Sequence, residues 1–223
     1  LDWVQNADEW SYGMPKGKDS NGSYNWGWWR QTSGSYSAGV TSYNTISLSA
    51  GGTDSIILLP TLPSTNYKFE ATFTVEGNTD PNGSFGLITN IEPTYAESIG
   101  GTMFVAYAAG HNSGAKNRVY TRNKATKTYI GEELYESSNT IYTPAGYTAP
   151  GAGDSATLTV YTYEGKNYYY INDIYVGTIN SKLTTEGESL CGFFCSGNDE
   201  TTVSITNISV KKLVISGNDT TGG

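Results

Sequence analysis

The chain has 223 residues and a formal net charge of -8, with 13 basic residues against 21 acidic ones and 1 histidine. So few cations cannot form the broad surface that neutralises nucleic-acid phosphates, and the negative charge disfavours anionic lipids and polyanionic glycans. Aromatic residues make up 13% of the chain. The abundance of Tyr, Thr, Val and Ile favours pleated strands over helices. These features predict a single all-β domain with an uncharged partner.

All five tryptophans lie in the first 29 residues, three of them in the segment Asn-Trp-Gly-Trp-Trp-Arg at 25–30. In an extended chain Trp26 and Trp28 share one face, about 6–7 Å apart, and Trp29 takes the other. That spacing is close to the repeat of a β-1,4-linked sugar chain, so Trp26 and Trp28 are candidate ligand-binding residues. Burial of these side chains in the core explains the same segment equally well.

Residues 67–75 show the clearest strand pattern, because apolar and polar side chains alternate strictly along them. Further segments have strand composition, and together they predict a two-sheet antiparallel β-sandwich or jelly roll. They are residues 45–48, 55–59, 84–90, 103–108, 118–122, 156–163, 167–171, 174–179, 191–196 and 202–213.

Turn-forming residues separate several of these strands. The segments DPNG at 80–83, EGK at 164–166 and ND at 172–173 each contain Gly, Asn or Asp and lie between strands, which predicts three hairpins. Residues 144–153 are predicted as a loop and residues 132–137 as a short helix. No internal repeat or change in composition divides the chain, so we expect one domain at 1–215 and the start of a linker at 216–223.

A cationic segment is the second candidate site. Five of the 13 basic residues fall at 116–127, and on a strand Arg118, Tyr120 and Arg122 would share one face. Two guanidinium groups beside an aromatic ring suit sugar hydroxyls. A solvated edge strand, protected from aggregation by its charges, explains the segment as well.

Tyrosines form a third, weaker candidate. Tyr161 and Tyr163 would face away from Leu158 and Val160 on a strand, and the run at 168–170 places a ring on both faces whatever its register.

The two cysteines, Cys191 and Cys195, are predicted to be free thiols. On a strand, positions i and i+4 share a face but lie about 13 Å apart, beyond the ~7 Å limit between the Cα atoms of a disulfide. The single histidine, His111, cannot complete a zinc site with them.

The C-terminal third of the chain resembles the closing strands of concanavalin A-like (laminin G-like) jelly rolls. The resemblance rests on LTV at 158–160, YINDIYVG at 170–177, GFFCSG at 192–197 and VSITNISV at 203–210. In size, aromatic content and linker-like end, the whole chain is similar to carbohydrate-binding modules of bacterial plant-cell-wall-degrading enzymes and cellulosomes. This implies a secreted, extracellular bacterial module, at the cell surface or in a cellulosome, within a larger multimodular protein.

The resemblance also implies no required cofactor, although such modules often carry one structural calcium. Asp8 and Glu9, or the Asn-Asp-Glu segment at 198–200, are candidate oxygen ligands.

Catalysis is not expected. Hydrolases of the concanavalin A-like fold place their carboxylates at alternating positions, as in Glu-x-Asp-x-x-Glu, and no such string occurs here. The acidic segment at 132–136 lacks the aspartate and the alternation. His111 lies between glycines, without the Gly-x-Ser-x-Gly motif of a serine nucleophile.

The sequence therefore predicts a non-catalytic, monomeric module that binds a neutral plant polysaccharide, with β-1,4-glucan or xyloglucan as the expected ligand. Stacking on aromatic side chains and hydrogen bonds to hydroxyl groups would provide recognition. Nucleic acid and membranes are not expected partners. A cell-surface adhesion domain that binds a host or bacterial protein, and a glycoside hydrolase on the same fold, are the alternatives.

Overall fold

The computed structural model describes 16 strands and several of their connecting turns. The described residues are 2–4, 29–31, 37–42, 45–49, 55–58, 66–77, 83–91, 101–112, 117–122, 129–130, 140–141, 146–180, 190–197 and 201–214. Over these ranges the chain forms no helix, and hence none of the length and apolarity needed to cross a membrane.

The strands are short to medium in length, and the pairings between them are antiparallel. They are β1 (Asp2–Val4), β2 (Trp29–Gln31), β3 (Ser37–Ser42), β4 (Thr45–Ser49), β5 (Ser55–Leu58), β6 (Tyr67–Gly77), β7 (Ser84–Ile91), β8 (Gly101–Tyr107), β9 (Asn117–Arg122), β10 (Tyr129–Ile130), β11 (Thr140–Ile141), β12 (Ser155–Tyr163), β13 (Lys166–Ile171), β14 (Ile174–Asn180), β15 (Leu190–Ser196) and β16 (Thr202–Val214).

Two eight-stranded antiparallel sheets contain all of these strands. The front sheet has the order β14-β13-β12-β6-β16-β4-β3, and β1 also pairs with β16. The back sheet has the order β10-β9-β8-β7-β15-β5-β2, and β11 also pairs with β9. This arrangement confirms the predicted all-β class and its two-sheet jelly-roll sandwich.

The core is built from aromatic side chains that meet between the sheets. Phe73 of the front sheet stacks on Phe85 of the back sheet with ring centroids 5.1 Å apart, and Phe69 lies 5.3 Å from Phe193. All four rings are fully buried. Each such side chain stabilises the fold by roughly 1.5–3 kcal/mol through removal of apolar surface from water.

The predicted alternation at 67–75 is confirmed in β6. Its odd-numbered residues from Tyr67 to Val75 are fully buried, whereas Lys68, Glu70, Thr72 and Thr74 are half-buried on the outer face. The front sheet therefore presents one polar face outward, as a half-buried antiparallel strand does.

The back sheet differs because both of its faces are buried around β7 and β8. Phe85, Leu87 and Phe104 point into the core between the sheets, yet Ile88 and Met103, which alternate with them, are each only 1% exposed. An open sheet surface within the described residues is therefore found on the front sheet.

Two of the three predicted hairpins are confirmed. Glu164 and Gly165 have φ values of 47° and 73°, and Asn172 and Asp173 have 48° and 64°. Positive φ at both central residues is the type I′ turn, whose twist matches that of the paired strands. These turns join β12 to β13 and β13 to β14.

The hairpin predicted at 80–83 is wrong. The strand before it, β6, belongs to the front sheet and the strand after it, β7, to the back sheet. Phe73 and Phe85 face each other across the core, so the two strands pack face to face and the chain changes sheet between Gly77 and Ser84. Asn-Gly composition marks a reversal of direction but does not show whether the next strand pairs or packs.

The free cysteines are confirmed. Cys191 and Cys195 are both buried, unbridged and on the inward face of β15. The Cys195 Sγ donates to the Thr201 carbonyl oxygen at 3.4 Å, and burial raises the pKa of the Cys191 thiol well above its usual value.

Several predictions lie outside the described residues. They are the helix at 132–137, the aromatic pair Trp26 and Trp28, and the candidate calcium ligands at 8–9 and 198–200. These stay predictions.

Tyr147 makes the fold sensitive to alkaline pH. Its hydroxyl is buried without a hydrogen-bond partner among the described residues, and burial raises its pKa to about 12. Because the unfolded chain loses this proton near pH 10, the stabilisation is complete below about pH 10 and is lost as the pH rises to about 12, on the order of 2–3 kcal/mol. We expect Tyr147→Phe to remove this part of the alkaline loss, measured by urea unfolding at about pH 8 and about pH 11.

Tyr67→Phe is the matched control for that experiment. The Tyr67 hydroxyl accepts a hydrogen bond from the Asn90 backbone N–H at 3.4 Å, so its removal should lower stability at neutral pH by about 1 kcal/mol. An unchanged alkaline loss in Tyr147→Phe would contradict the assignment to Tyr147.

Candidate functional site

Three tyrosines from adjacent strands meet on the outer face of the front sheet near its β14 edge. Tyr161 of β12 lies 5.2 Å from Tyr170 of β13, and Tyr170 lies 5.5 Å from Tyr175 of β14, between ring centroids. The interplanar angles of 66° and 63° are edge-to-face contacts. We call these three residues the tyrosine patch.

The core fixes which tyrosines face outward. Tyr169 is fully buried and packs on Phe104 with centroids 4.8 Å apart. Since side chains alternate along a strand, Tyr168 and Tyr170 then lie on the outer face, where both are half-buried. On β12 the buried Val160 places Tyr161 outward in the same way.

A β-bulge brings Tyr175 into the patch. Tyr169 pairs with Gly177 but Tyr170 pairs with Tyr175, so Val176 is an extra residue in β14. Val176 is buried, and Tyr175 and Thr178, three residues apart, both lie on the outer face. Their hydroxyl groups are 2.7 Å apart, which restrains the Tyr175 ring.

Tyr170, the central ring of the patch, keeps its hydroxyl proton at physiological pH. Burial, and then the neighbouring Tyr161, Tyr175 and Tyr168, raise the pKa of Tyr170. At the rim, the Tyr163 pKa is raised because its hydroxyl donates to the Glu164 carboxylate. Tyr170 and Tyr163 therefore stay neutral.

A charged pair borders the patch on β6. The Lys68 Nζ lies 2.9 Å from Glu70 Oε2 and 5.6 Å from the Tyr161 ring centroid. Thr159 Oγ1 donates to the same Glu70 oxygen at 2.8 Å. Burial lowers the Lys68 pKa, but the hydrogen bonds and charges of Glu70 and Tyr161 outweigh it and raise the pKa overall, so Lys68 stays charged.

Beyond this pair the outer face carries mainly hydroxyl groups. Thr72 and Thr157 hydroxyls are 2.9 Å apart, and those of Thr74 and Ser155 are 2.7 Å apart. These cross-strand pairs give a face of neutral donors and acceptors. The arrangement can stack a flat apolar surface at the β14 edge and hydrogen-bond polar groups next to it.

Of the predicted site residues, Tyr161 and Tyr163 lie in this region. Arg118, Tyr120 and Arg122 instead belong to β9 in the back sheet, where they pair with Val105, Met103 and Gly101. The tyrosine and the cationic candidates are therefore on different sheets of the sandwich.

The edge-strand explanation of the cationic segment is wrong. Besides β8, β9 pairs with β10 through Thr121 and Arg122 and with β11 through Asn117 and Arg118. Its backbone is therefore paired on both sides at these positions.

Sequence reasoning did not identify Tyr175, Lys68 and Glu70 as members of the candidate site. Tyr170 was foreseeable in part, because any register of 168–170 leaves at least one ring outside. The position of Tyr175 depends on the bulge at Val176, which no residue pattern signals. Lys68 and Glu70 were recognised as outward-facing, but their contact with Tyr161 depends on the pairing of β6 with β12.

Solved structures with this fold include several sugar-binding proteins. A carbohydrate-binding module, CBM66, from Bacillus subtilis is 14% identical with a TM-score of 0.55, covering 82% of this chain and 95% of that one. A point mutant of the Emp46p carbohydrate recognition domain is 12% identical with a TM-score of 0.61, covering 92% and 99%. A kappa-carrageenase from Pseudoalteromonas carrageenovora, in complex with an oligosaccharide of kappa-carrageenan, is 12% identical with a TM-score of 0.56, covering 94% of each chain.

At these identities the similarity establishes the fold. No protein-family model and no curated protein sequence matches the chain.

The outward-facing and the buried tyrosines of β13 and β14 should differ in their contribution to the free energy of unfolding. Tyr175 is 50% exposed, so Tyr175→Ala should change the free energy of unfolding by less than about 1 kcal/mol. Tyr169→Ala, which empties a fully buried site, should cost about 3–5 kcal/mol. Urea denaturation of the two variants measures both values, and equal losses would show that Tyr175 is part of the core.

Proposed function

We propose that the protein is a non-catalytic carbohydrate-binding module that holds a neutral polysaccharide on the outer face of its front sheet. The observation that carries the proposal is the tyrosine patch, a set of partly exposed rings in mutual contact beside a hydroxyl-rich surface. Aromatic rings supply stacking area at low entropic cost. The shared fold with a carbohydrate-binding module and a carbohydrate recognition domain supports this proposal.

The charges near the patch support an uncharged ligand. Lys68 and Lys166 have Glu70 and Glu164 nearby, and Lys211 lies beside Lys68 on β16, but the chain as a whole carries -8. This net charge gives a polyanion no long-range attraction to the protein. A neutral sugar ring can use every hydroxyl and carboxylate nearby as a hydrogen-bond partner.

The acidic residues of β6 support binding without hydrolysis. Glu70 and Glu76 lie on one face of the strand six residues apart, about 20 Å, whereas glycosidases place their two carboxylates about 5–9.5 Å apart. Glu76 is also held by the Ser204 hydroxyl at 2.6 Å. We propose that the module is not an enzyme.

The size of the apolar surface favours a sugar over a protein partner. Among the described residues the exposed large hydrophobic side chains are Ile174 and Tyr175. A stable protein interface buries about 800 Å² on each side, far more than these two residues provide. The adhesion alternative therefore gains no support from this face.

The identity of the glycan, the context of the module and a structural calcium are proposed from the sequence resemblance. We propose β-1,4-glucan or xyloglucan as the ligand, and a secreted bacterial multimodular protein, at the cell surface or in a cellulosome, as its context. A structural calcium belongs to the same proposal. In the described part of the chain no three His, Cys, Asp or Glu side chains are grouped to hold a metal, and the candidate ligands lie outside it.

Replacement of patch residues should weaken binding. We expect Tyr170→Ala and Tyr175→Ala each to reduce affinity for a soluble β-glucan or xyloglucan by about 1–3 kcal/mol, since aromatic truncation at an interface has this cost. Affinity electrophoresis against a panel of neutral polysaccharides measures the effect. Retardation of the unaltered protein by none of them would refute the proposed function, whereas unchanged retardation of both variants would move the site elsewhere.

Salt should have little effect on binding. Stacking and bonds to neutral hydroxyl groups release no counterions, so affinity should be nearly flat between low and high ionic strength. A titration of the polysaccharide at two salt concentrations tests this. A fall of about tenfold or more would identify an acidic polysaccharide, such as a uronic-acid polymer, as the ligand.

A further inference from the structure

We infer that Lys68 and Glu70 recognise, by hydrogen bonds, a pair of adjacent free hydroxyl groups on the sugar that lies over Tyr161. The inference rests on the proposed function, and it names the sugar class: a residue with an unsubstituted vicinal diol. It makes these two residues determinants of linkage specificity.

Register brings the charged pair to the patch. Lys68 pairs with Tyr161, and Glu70 pairs with Thr159, which itself pairs with Tyr170. A sugar ring over Tyr161 therefore has the Lys68 ammonium and the Glu70 carboxylate on its β6 side. The side chains of Lys68 and Glu70 are 19% and 23% exposed, which leaves part of each open to a ligand.

Both groups retain hydrogen-bonding capacity. A carboxylate offers about four acceptor sites and an ammonium three donors. The described bonds to Glu70, from Lys68 and Thr159, both end on Oε2. Lys68 Nζ contacts Glu70 at 2.9 Å and lies over the Tyr161 ring, so among the described contacts the ammonium, with its three donors, keeps at least one for a ligand.

A vicinal diol matches this pair. Each of the two hydroxyls of the diol can donate its proton to the Glu70 carboxylate, and one of the two hydroxyl oxygens can accept a hydrogen bond from the Lys68 ammonium. Charged partners make such bonds about twice as strong as neutral ones. A lone hydroxyl satisfies only half of this arrangement. An ion pair already held in place at 2.9 Å needs little rearrangement to receive the diol.

The glycosidic linkage of the glucan tests this inference, because it decides whether a sugar keeps two adjacent free hydroxyl groups. A β-1,4-linked glucan keeps adjacent free hydroxyls at carbons 2 and 3, whereas a β-1,3-linked glucan has carbon 3 in the linkage and no adjacent free pair there. We expect the unaltered protein to bind a soluble β-1,4-glucan at least about tenfold more tightly than a soluble β-1,3-glucan.

Glu70→Gln tests the residue directly, and Glu76→Gln is its matched control. Both positions lie on the outer face of β6, but Glu76 is six residues away and bonded to Ser204. We expect Glu70→Gln and Lys68→Met each to lose about tenfold in affinity for the β-1,4-glucan, with most of the linkage preference. Glu76→Gln should retain both, and all three variants should keep nearly the same melting temperature, because ion pairs that stay in contact with solvent contribute little stability.

The outcomes separate the two proposals. If the unaltered protein binds neither glucan and no other neutral glycan, the proposed function is refuted. Binding that depends on Tyr170 and Tyr175 but is unaffected by Glu70→Gln, or that shows no linkage preference, would refute diol recognition by Lys68 and Glu70. The proposed carbohydrate-binding function would still stand.

Discussion

The packing of aromatic side chains between the two sheets determines which residues of the front sheet can meet a ligand. Phe73 contacts both Phe85 and Phe193 of the back sheet, and Phe104 contacts Tyr169 of the front sheet. Once these rings are inside, the two-residue period of a strand assigns every neighbour to the outer face. Burial of Tyr169 is thus the reason that Tyr170 is available to a ligand.

The register of the strands brings these outward-facing residues together as the candidate site. Residues facing outward on β12, β13 and β6 become neighbours because β12 pairs with both of the other strands. Tyr161 therefore contacts Tyr170 on one side and Lys68 on the other. A one-residue slip of β12 would turn Tyr161 inward and disperse the whole group, so the stability of the core and the integrity of the site are coupled.

Local patterns in the sequence predicted the parts of the fold that depend on local physics. The alternation in β6 and the positive-φ turns at Glu164-Gly165 and Asn172-Asp173 follow from neighbouring residues alone. The cysteine separation followed from strand rise. The hairpin predicted at 80–83 was wrong, because whether the following strand pairs or packs depends on contacts made far along the chain.

The candidate site was harder to predict for the same reason. Tyr161 and Tyr163 were identified from the parity of one strand, but the patch needs three strands and a bulge at Val176. Sheet membership, which separates the cationic segment of β9 from this face, is a long-range property that no pattern within one segment encodes.

A site built on paired strands has a physical advantage for sugar recognition. The Tyr175 ring is restrained by Thr178, the Tyr170 ring by contacts on two sides, and Glu70 by Lys68 and Thr159. Groups already held in place lose little conformational freedom when a ligand arrives. Neutral sugars offer only stacking and modest hydrogen bonds, so affinity for them depends strongly on this preorganisation. The bulge at Val176 has a role in this respect, because it brings the Thr178 hydroxyl onto the face where it can hold Tyr175.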